Sequence, residues 1–352
     1  MKIVMVAGGT GGHIYPALSL AEELIKRGHK ITFIGSNDRM EKDLIPSKGF
    51  DYIGLDVYTT RGSIFCKIKS LLSIMNAYKK CIPLLKGYDM AIGFGNYISI
   101  PVMLAACKLK LKTIIHEQNS YVGRANRFLD KRVDLIIGSY DENIKQFNNP
   151  NIKILGNPQS SKAYYLKKDP NYLSNLGLKN NLKTVVIFMG SLGSSSVNEK
   201  LIDYFSLLDG SYQVIYATGK IHYEDTISKV KSNDYLKIFD CIDGINAMKN
   251  ADLLVCRGGA TTLEEIKAIG IPAIIIPSPF VPNNHQYFNG KALVDKDAAI
   301  MIEEKQLSAK TLYDCINELL NNEDKMGSLK QNALKLGNPN VMSDIIEEME
   351  KL

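Results

Sequence analysis

Several features are scarce in this sequence, and each scarcity narrows what the chain can do. No apolar run approaches the roughly 18 residues that would make a membrane-spanning helix. Residues 1–7 pass directly into an apolar, strand-like run, so no secretory leader is expected. Cys66, Cys81, Cys107, Cys241, Cys256 and Cys315 are scattered and form no Cys-x-x-Cys pair. That disfavours a disulfide scaffold or a zinc ribbon and fits reduced thiols. Asp295-Lys296-Asp297 has the outline of an Asp-x-Asp metal motif but lies in a charged stretch and reads as a turn. No other cluster has metal-ligand spacing, so neither a metal nor another cofactor is expected. Nor does any aromatic-plus-basic spacing suggest an RNA-binding module, and nucleic acid is not an expected partner.

What is present is an ordinary globular composition, 45% hydrophobic and 23% charged. At 352 residues the chain is long for one core and about right for two, at roughly 150 residues per domain. Its net charge of +6 is unevenly placed: residues 1–160 hold 22 Lys and Arg against 13 Asp and Glu, and the remainder 21 against 24. A basic first half suits an anionic partner such as a phosphate-bearing ligand or an acidic membrane; solvated lysines would give the same count.

Strand-type runs at residues 2–7, 30–34, 90–93, 113–116 and 133–138 alternate with helical patterns. The clearest helix is 15–27, where Ala17, Leu18, Leu20, Ala21, Leu24 and Ile25 share a face and Gly28 ends it. The theme restarts at Thr184, with strands at 185–189, 212–217, 236–239, 253–256 and 273–276 and a helix at 197–208. This β–α–β spacing predicts an α/β protein of two parallel-sheet domains covered by helices. Gly156-Asn157-Pro158 and the polar stretch to Asp169-Pro170 suggest the linker, and residues 341–352 a short amphipathic helix. Ligands in such sheets bind beyond the carboxyl ends of the strands. Two facing domains would therefore set a cleft between two groups of strand-end loops.

The motifs lie at those ends. Gly8-Gly9-Thr10-Gly11-Gly12-His13, with Pro16 near the helix start, lets the backbone approach a ligand and puts His13 at a helix N-terminus. Helix-dipole charge there disfavours an imidazolium, so His13 can accept a proton; a capping histidine is the plain alternative. A dinucleotide site fits poorly, because Ile14 falls at the sixth position of Gly-x-Gly-x-x-Gly and no acidic residue clearly ends the second strand, Asp38 being a late candidate. His116-Glu117-Gln118-Asn119 ends an apolar strand, four polar residues that are hard to place in a core. Gly190-Ser191-Leu192-Gly193-Ser194-Ser195-Ser196 is a phosphate-type turn, whose amides and hydroxyls can hold a diphosphate without a metal. In Arg257-Gly258-Gly259-Ala260-Thr261-Thr262-Leu263-Glu264-Glu265, a threonine with a glutamate three residues on reads first as a capping box; the same geometry could aim a glutamate at ribose hydroxyls. Residues 282–289 are rich in amides that could orient sugar hydroxyls, or form a surface turn. Residues 61–80 interleave Ile64, Phe65, Ile68, Leu71, Leu72 and Met75 with Arg61, Lys67, Lys69, Lys79 and Lys80. They form either a membrane-surface helix or a core-facing helix with a basic outer face.

Taken together, the motifs resemble those of the MurG family of peptidoglycan N-acetylglucosaminyltransferases, along almost the whole chain: residues 8–16, Gly93-Phe94-Gly95-Asn96-Tyr97, residues 116–119, Gly156-Asn157-Pro158, residues 190–194, 257–265 and 283–289. The resemblance implies a GT-B fold, two Rossmann-like domains with parallel sheets facing across a cleft. Residues 1–160 would be the acceptor and membrane-binding domain and 161–337 the UDP-GlcNAc-binding domain, with a C-terminal helix in 338–352 packing back on the first. It implies an inverting transfer of N-acetylglucosamine from UDP-GlcNAc to the muramoyl C4 hydroxyl of undecaprenyl-pyrophosphoryl-MurNAc-pentapeptide (lipid I), giving lipid II. The work would be done peripherally at the cytoplasmic face of the cell membrane, on an anionic surface and beside other cell-wall and division proteins, without a catalytic metal.

Carried over by motif, donor binding falls to Thr10, Gly11, Gly12, Asn119, Ser191 and Gln286, and to Ala260, Thr261, Thr262, Leu263, Glu264 and Glu265, with Glu265 on the ribose. Ile242 reads the uracil, Ile245 being the alternative; His13 is the general base and Glu117 a second candidate. The chain departs from the pattern at Ser160, where some members carry arginine, at Asn96, where glycine is usual, and at Ser99-Ile100-Pro101 for Ser-Gly-Pro. Competing expectations are another UDP-sugar enzyme of the same fold, such as a lipid glucosyltransferase or a UDP-GlcNAc 2-epimerase, and a catalytically silent division scaffold.

Overall fold

The structure is a computed structural model that describes residues 1–58, 64–190, 193–231 and 233–352, the side chains of residues 64–67 excepted. The chain forms two compact units, Met1–Ser161 with Asn340–Leu352, and Lys162–Pro339.

The first unit has a seven-stranded sheet: β1 (Lys2–Val6), β2 (Lys30–Ser36), β3 (Asp51–Leu55), β4 (Met90–Gly93), β5 (Lys112–Glu117), β6 (Leu135–Gly138) and β7 (Ile152–Ile154). Its order is β3-β2-β1-β4-β5-β6-β7, with every pairing parallel. The central strand shows why. Ile3, Val4, Met5 and Val6 are all fully buried, as a strand covered on both faces requires. Ile3 and Met5 pack with Leu20 and Leu24 of the helix Gly11–Lys26, whereas Val4 and Val6 pack on the other face with Ala77, Cys81, Val102 and Ala106. The C-terminal helix Val341–Glu350 puts Val341, Ile345, Ile346 and Met349 into the first of these cores. Each such side chain contributes about 1.5–3 kcal/mol of gross burial energy.

The second unit has a six-stranded, all-parallel sheet: β8 (Thr184–Phe188), β9 (Gln213–Ala217), β10 (Leu236–Phe239), β11 (Leu253–Cys256), β12 (Ala273–Ile275) and β13 (Ile300–Met301), ordered β10-β9-β8-β11-β12-β13. Both sheets reverse direction of growth beside their first strand, between β1 and β4 and between β8 and β11. In doubly wound sheets such a switch point opens a crevice at the strand ends.

The edge strands β3, β7 and β13, five, three and two residues long, are absent from the runs expected from sequence. The first helix begins at Gly11, four residues before the apolar pattern does. The break between the two units, after Ser161, falls inside the stretch 156–170, although Asn157 is fully buried and Gly156 O accepts a hydrogen bond from His116 Nε2 at 2.9 Å.

Candidate active site

In the first unit the switch point brings the turn after β1 against the turn after β4. Because the helix starts at Gly11, His13 stands in its first turn, with Nδ1 3.1 Å from the Thr10 hydroxyl. Pro16 lacks the N–H that would bond the Gly12 carbonyl in this helix, which releases that oxygen from the ladder. The imidazole lies over Gly95, whose φ is +87°; a Cβ there would stand 3.2 Å from His13 Cδ2 and 3.4 Å from Nε2. Asn126 Nδ2 is the next neighbour of the same position, at 3.7 Å. Asn126 in turn donates to Glu117 Oε2 and to His116 O, each at 3.0 Å. A continuous line of contacts thus runs from the His13 ring through Gly95 and Asn126 to the end of β5.

Glu117 has a different place from the one its candidacy as a base suggested. It is 2% exposed, and its carboxylate accepts from Asn119 N (3.1 Å), Asn119 Nδ2 (3.2 Å), Gly123 N (2.9 Å) and Asn126 Nδ2. Burial raises its pKa, opposed by the hydrogen bonds from Gly123, Asn119 and Asn126. Both oxygens are engaged in shaping the loop, so Glu117 orients Asn119 instead of facing an incoming hydroxyl. His116 is buried, its ring 5.5 Å from that of Phe94 and nearly parallel to it, and desolvation lowers its pKa to about 4. It is a neutral structural donor. Gln118 Oε1, Asn126 Oδ1 and His116 Nδ1 have no hydrogen-bond partner among the described residues. Ser160 is also buried and donates to Asn157 O at 2.8 Å.

In the second unit Arg257, the residue after β11, ties the switch point together. The residue is 6% exposed; its guanidinium donates to Ser194 Oγ (2.6 Å) and Ile276 O (3.1 Å) and forms an ion pair with Glu304 Oε2 (2.6 Å). Glu304 also accepts from the Ser196 hydroxyl at 2.6 Å. Ser191 lies outside the described residues. Gly193 has φ +71°, and a Cβ there would collide with Thr218 O, so no other residue fits this turn.

The capping-box reading of residues 261–265 does not hold. The helix Ala260–Ile269 has Gly259 as its N-cap, no side chain caps it and its first turn carries no acid. Thr261 and Thr262 are already helical, so neither can be the cap. The first-turn amides and the positive end of the helix are therefore without an internal anion, which suits a phosphate. Ala260 and Leu263 are buried, and the Thr261 hydroxyl has no hydrogen-bond partner among the described residues. Glu264 is buried in an ion pair with Lys267, three residues on along the same helix. Glu265 is 8% exposed and close enough to Cys256 to add, after burial, to the raised pKa of that thiol.

Gly258 abuts Gln286, whose backbone oxygen would meet a Cβ there. Gln286 Oε1 accepts from Ser278 N at 2.9 Å, which turns the amide nitrogen away from that contact. The turn before Gln286 holds two consecutive left-handed residues, Asn283 (φ +55°) and Asn284 (φ +51°). Ile242 lies in irregular backbone after β10 and Ile245 in the following helix Gly244–Lys249; a Cβ on Gly244 would stand 3.8 Å from the ring of Phe188, at the end of β8. Asp295 pairs with Lys291 at 2.7 Å on an exposed helix end.

Sequence reasoning missed Glu41, Asn126 and Glu304. Asp38, weighed as the acid after β2, is exposed; the acid that reaches the first glycine turn is Glu41, donated to by Gly9 N at 3.0 Å. Its only local signal was an acid at the start of the helix Glu41–Ser47, shared with Asp43.

Residues 3–137 match the glycosyltransferase family 28 N-terminal domain, and residues 184–349 its C-terminal domain. A protein of Halothermothrix orenii named UDP-N-acetylglucosamine--N-acetylmuramyl-(pentapeptide) pyrophosphoryl-undecaprenol N-acetylglucosamine transferase is 36% identical across the whole of both chains. The Bacillus subtilis protein of the same name is 33% identical over 100% of this chain and 99% of its own. Among solved structures, Acinetobacter baumannii MurG superposes with a TM-score of 0.77 at 23% identity, covering 100% of this chain and 99% of that one. The chain belongs to glycosyltransferase family 28, among its MurG members.

Proposed function

We infer that the chain transfers N-acetylglucosamine from UDP-N-acetylglucosamine to the C4 hydroxyl of MurNAc in undecaprenyl-pyrophosphoryl-MurNAc-pentapeptide, forming lipid II. The observation that carries this reading is the 36% identity, without truncation on either side, to a relative named for that reaction. The reaction is a single displacement with inversion. His13 Nε2 accepts the acceptor's proton as its oxygen attacks the anomeric carbon, help worth about 10²–10⁴-fold. The Thr10 hydroxyl at 3.1 Å from Nδ1 holds the orientation of the ring.

UDP leaves with added negative charge. The uncapped N-terminus of helix Ala260–Ile269 and the turn at residues 190–196 are suited to stabilise it. Glu265 serves the ribose, and Gln286 and Asn119 serve the sugar, each fixed by a hydrogen bond at its carbonyl or amide. Thr10, Gly11 and Gly12 also take part in donor binding, and Ile242 reads the uracil through its backbone.

No helix of the described residues is long and apolar enough to cross a membrane. The helix Ile64–Leu84 exposes Ile68, Leu71, Leu72 and Met75 by 47–58%, while Ala77 and Cys81 are the residues it buries. With Lys69, Lys79 and Lys80 beside it, this face suits peripheral binding to an anionic cytoplasmic leaflet, where the lipid acceptor resides.

The test is UDP release from UDP-GlcNAc with and without a lipid I analogue. Acceptor-dependent release is expected, and His13→Ala should depress it by about 10²-fold or more with UDP affinity nearly intact. Release that ignores the acceptor, or a His13→Ala variant that turns over normally, would remove this reading or His13 from it.

A further inference from the structure

The peptide between Gly8 and Gly9 is held at both of its polar ends. Its carbonyl, Gly8 O, accepts from Asn96 Nδ2 at 2.8 Å, and its N–H, that of Gly9, donates to Glu41 Oε2 at 3.0 Å. Glu41 is fully buried, and its other oxygen accepts from the backbone N–H of Ser36 at 3.2 Å and from the Ser36 hydroxyl. Asn96 sits in the left-handed region (φ +64°), where its Oδ1 also accepts from Tyr97 N at 2.6 Å. Nothing larger than glycine fits between the two clamps: a Cβ on Gly8 would meet Glu41 Oε1, and one on Gly9 would meet Asn96 Nδ2.

Amides in this turn are where a doubly wound domain ordinarily receives a phosphate. Here the chain's own carboxylate bridges the end of β2 to the turn after β1 and takes the Gly9 amide. With both ends of the peptide fixed, Gly9 is kept at φ +88°, one residue before Thr10 and four before His13. We propose that Glu41 and Asn96 are positioning residues for the transfer: they lock the Gly8–Gly9 peptide and thereby aim the Thr10 hydroxyl and the His13 ring. The proposal rests on the reading of His13 as the general base. Neither residue touches substrate; both act through the loop.

Glu41→Gln keeps the shape but leaves one acceptor oxygen where two serve the Gly9 amide and Ser36. Asn96→Gly suits the left-handed backbone and removes the hold on Gly8 O together with the local bond from Tyr97 N. Misplacing a reacting group by about 1 Å costs roughly 10²-fold, so partial release should lower kcat by about tenfold for Glu41→Gln and somewhat less for Asn96→Gly. KM for UDP-GlcNAc should stay within about twofold, since the loop's main effect is on the base. The deciding readout is a double-mutant cycle with His13→Ala, run on acceptor-dependent UDP release. If the clamp works through His13, neither substitution lowers turnover further once His13 is gone. An equal fractional loss in both backgrounds, or full turnover of Asn96→Gly in the wild-type background, overturns the proposal. Absence of acceptor-dependent release by the wild-type chain instead overturns the functional reading beneath it.

Discussion

Gly95→Ala isolates the placement of the His13 ring. The substitution carries two separable costs. An alanine at φ +87° bears a backbone penalty of about 1–2 kcal/mol. The added methyl also stands 3.2 Å from His13 Cδ2, inside the roughly 3.5–4.0 Å of an ordinary carbon contact. The ring must then move by a few tenths of an ångström, which on the scale of 10²-fold per ångström lowers kcat by roughly three- to tenfold. Gly28→Ala is the control, because Gly28 has φ +84° and nothing within 4 Å of the new methyl. Both variants should melt about 2–8 °C lower, at 2–4 °C per kcal/mol. Only Gly95→Ala should lose turnover in the lipid I analogue assay, and UDP affinity should be unchanged in both. Equal kcat for the two would refute the placement of His13 as a determinant of rate.

The buried His116 makes stability depend on pH. Its folded pKa is lowered from 6.5 to about 4, so the unfolded chain takes up a proton first and stability falls as pH drops from 6.5 toward 4. That amounts to about 2 kcal/mol by pH 5; His116→Gln, which keeps a donor for Gly156 O, should show a shallower loss between pH 7 and 5 in urea titrations, and an unchanged slope would refute the assignment. On the outer face of helix Ile64–Leu84, Leu71→Glu with Leu72→Glu should leave the melting temperature within about 1–2 °C, as expected at exposed sites. The same pair should cut sedimentation with phosphatidylglycerol vesicles by at least about tenfold, given about 1.5–3 kcal/mol per leucine inserted. Equal sedimentation of variant and wild type would refute the membrane role of this face.

Much of the architecture was legible because it repeats locally. The apolar run at residues 2–6 announces a strand buried on both faces, and the three-and-four spacing from Ala17 to Leu24 announces the helix that covers it. The start of that helix was misplaced because glycines carry turn signals even when, like Gly11 and Gly12, they are helical. At residues 260–265 the pattern of threonine and glutamate satisfies a capping rule on paper. The observed cap is Gly259, which puts the threonines at the second and third positions of the helix, and Glu264 pairs with Lys267.

By itself, then, the sequence determined two parallel-sheet domains, their family and the turns at which polar residues collect, since each follows from periodicity or from motifs read along the chain. Only the tertiary structure showed which polar side chains at those turns are engaged in holding the loops. Glu117 turned out to hold its own loop, and the first glycine turn is held by Glu41 and Asn96, which lie 32 and 88 residues from their partners. Such contacts depend on which strands become neighbours at the switch point, and no local pattern encodes that adjacency.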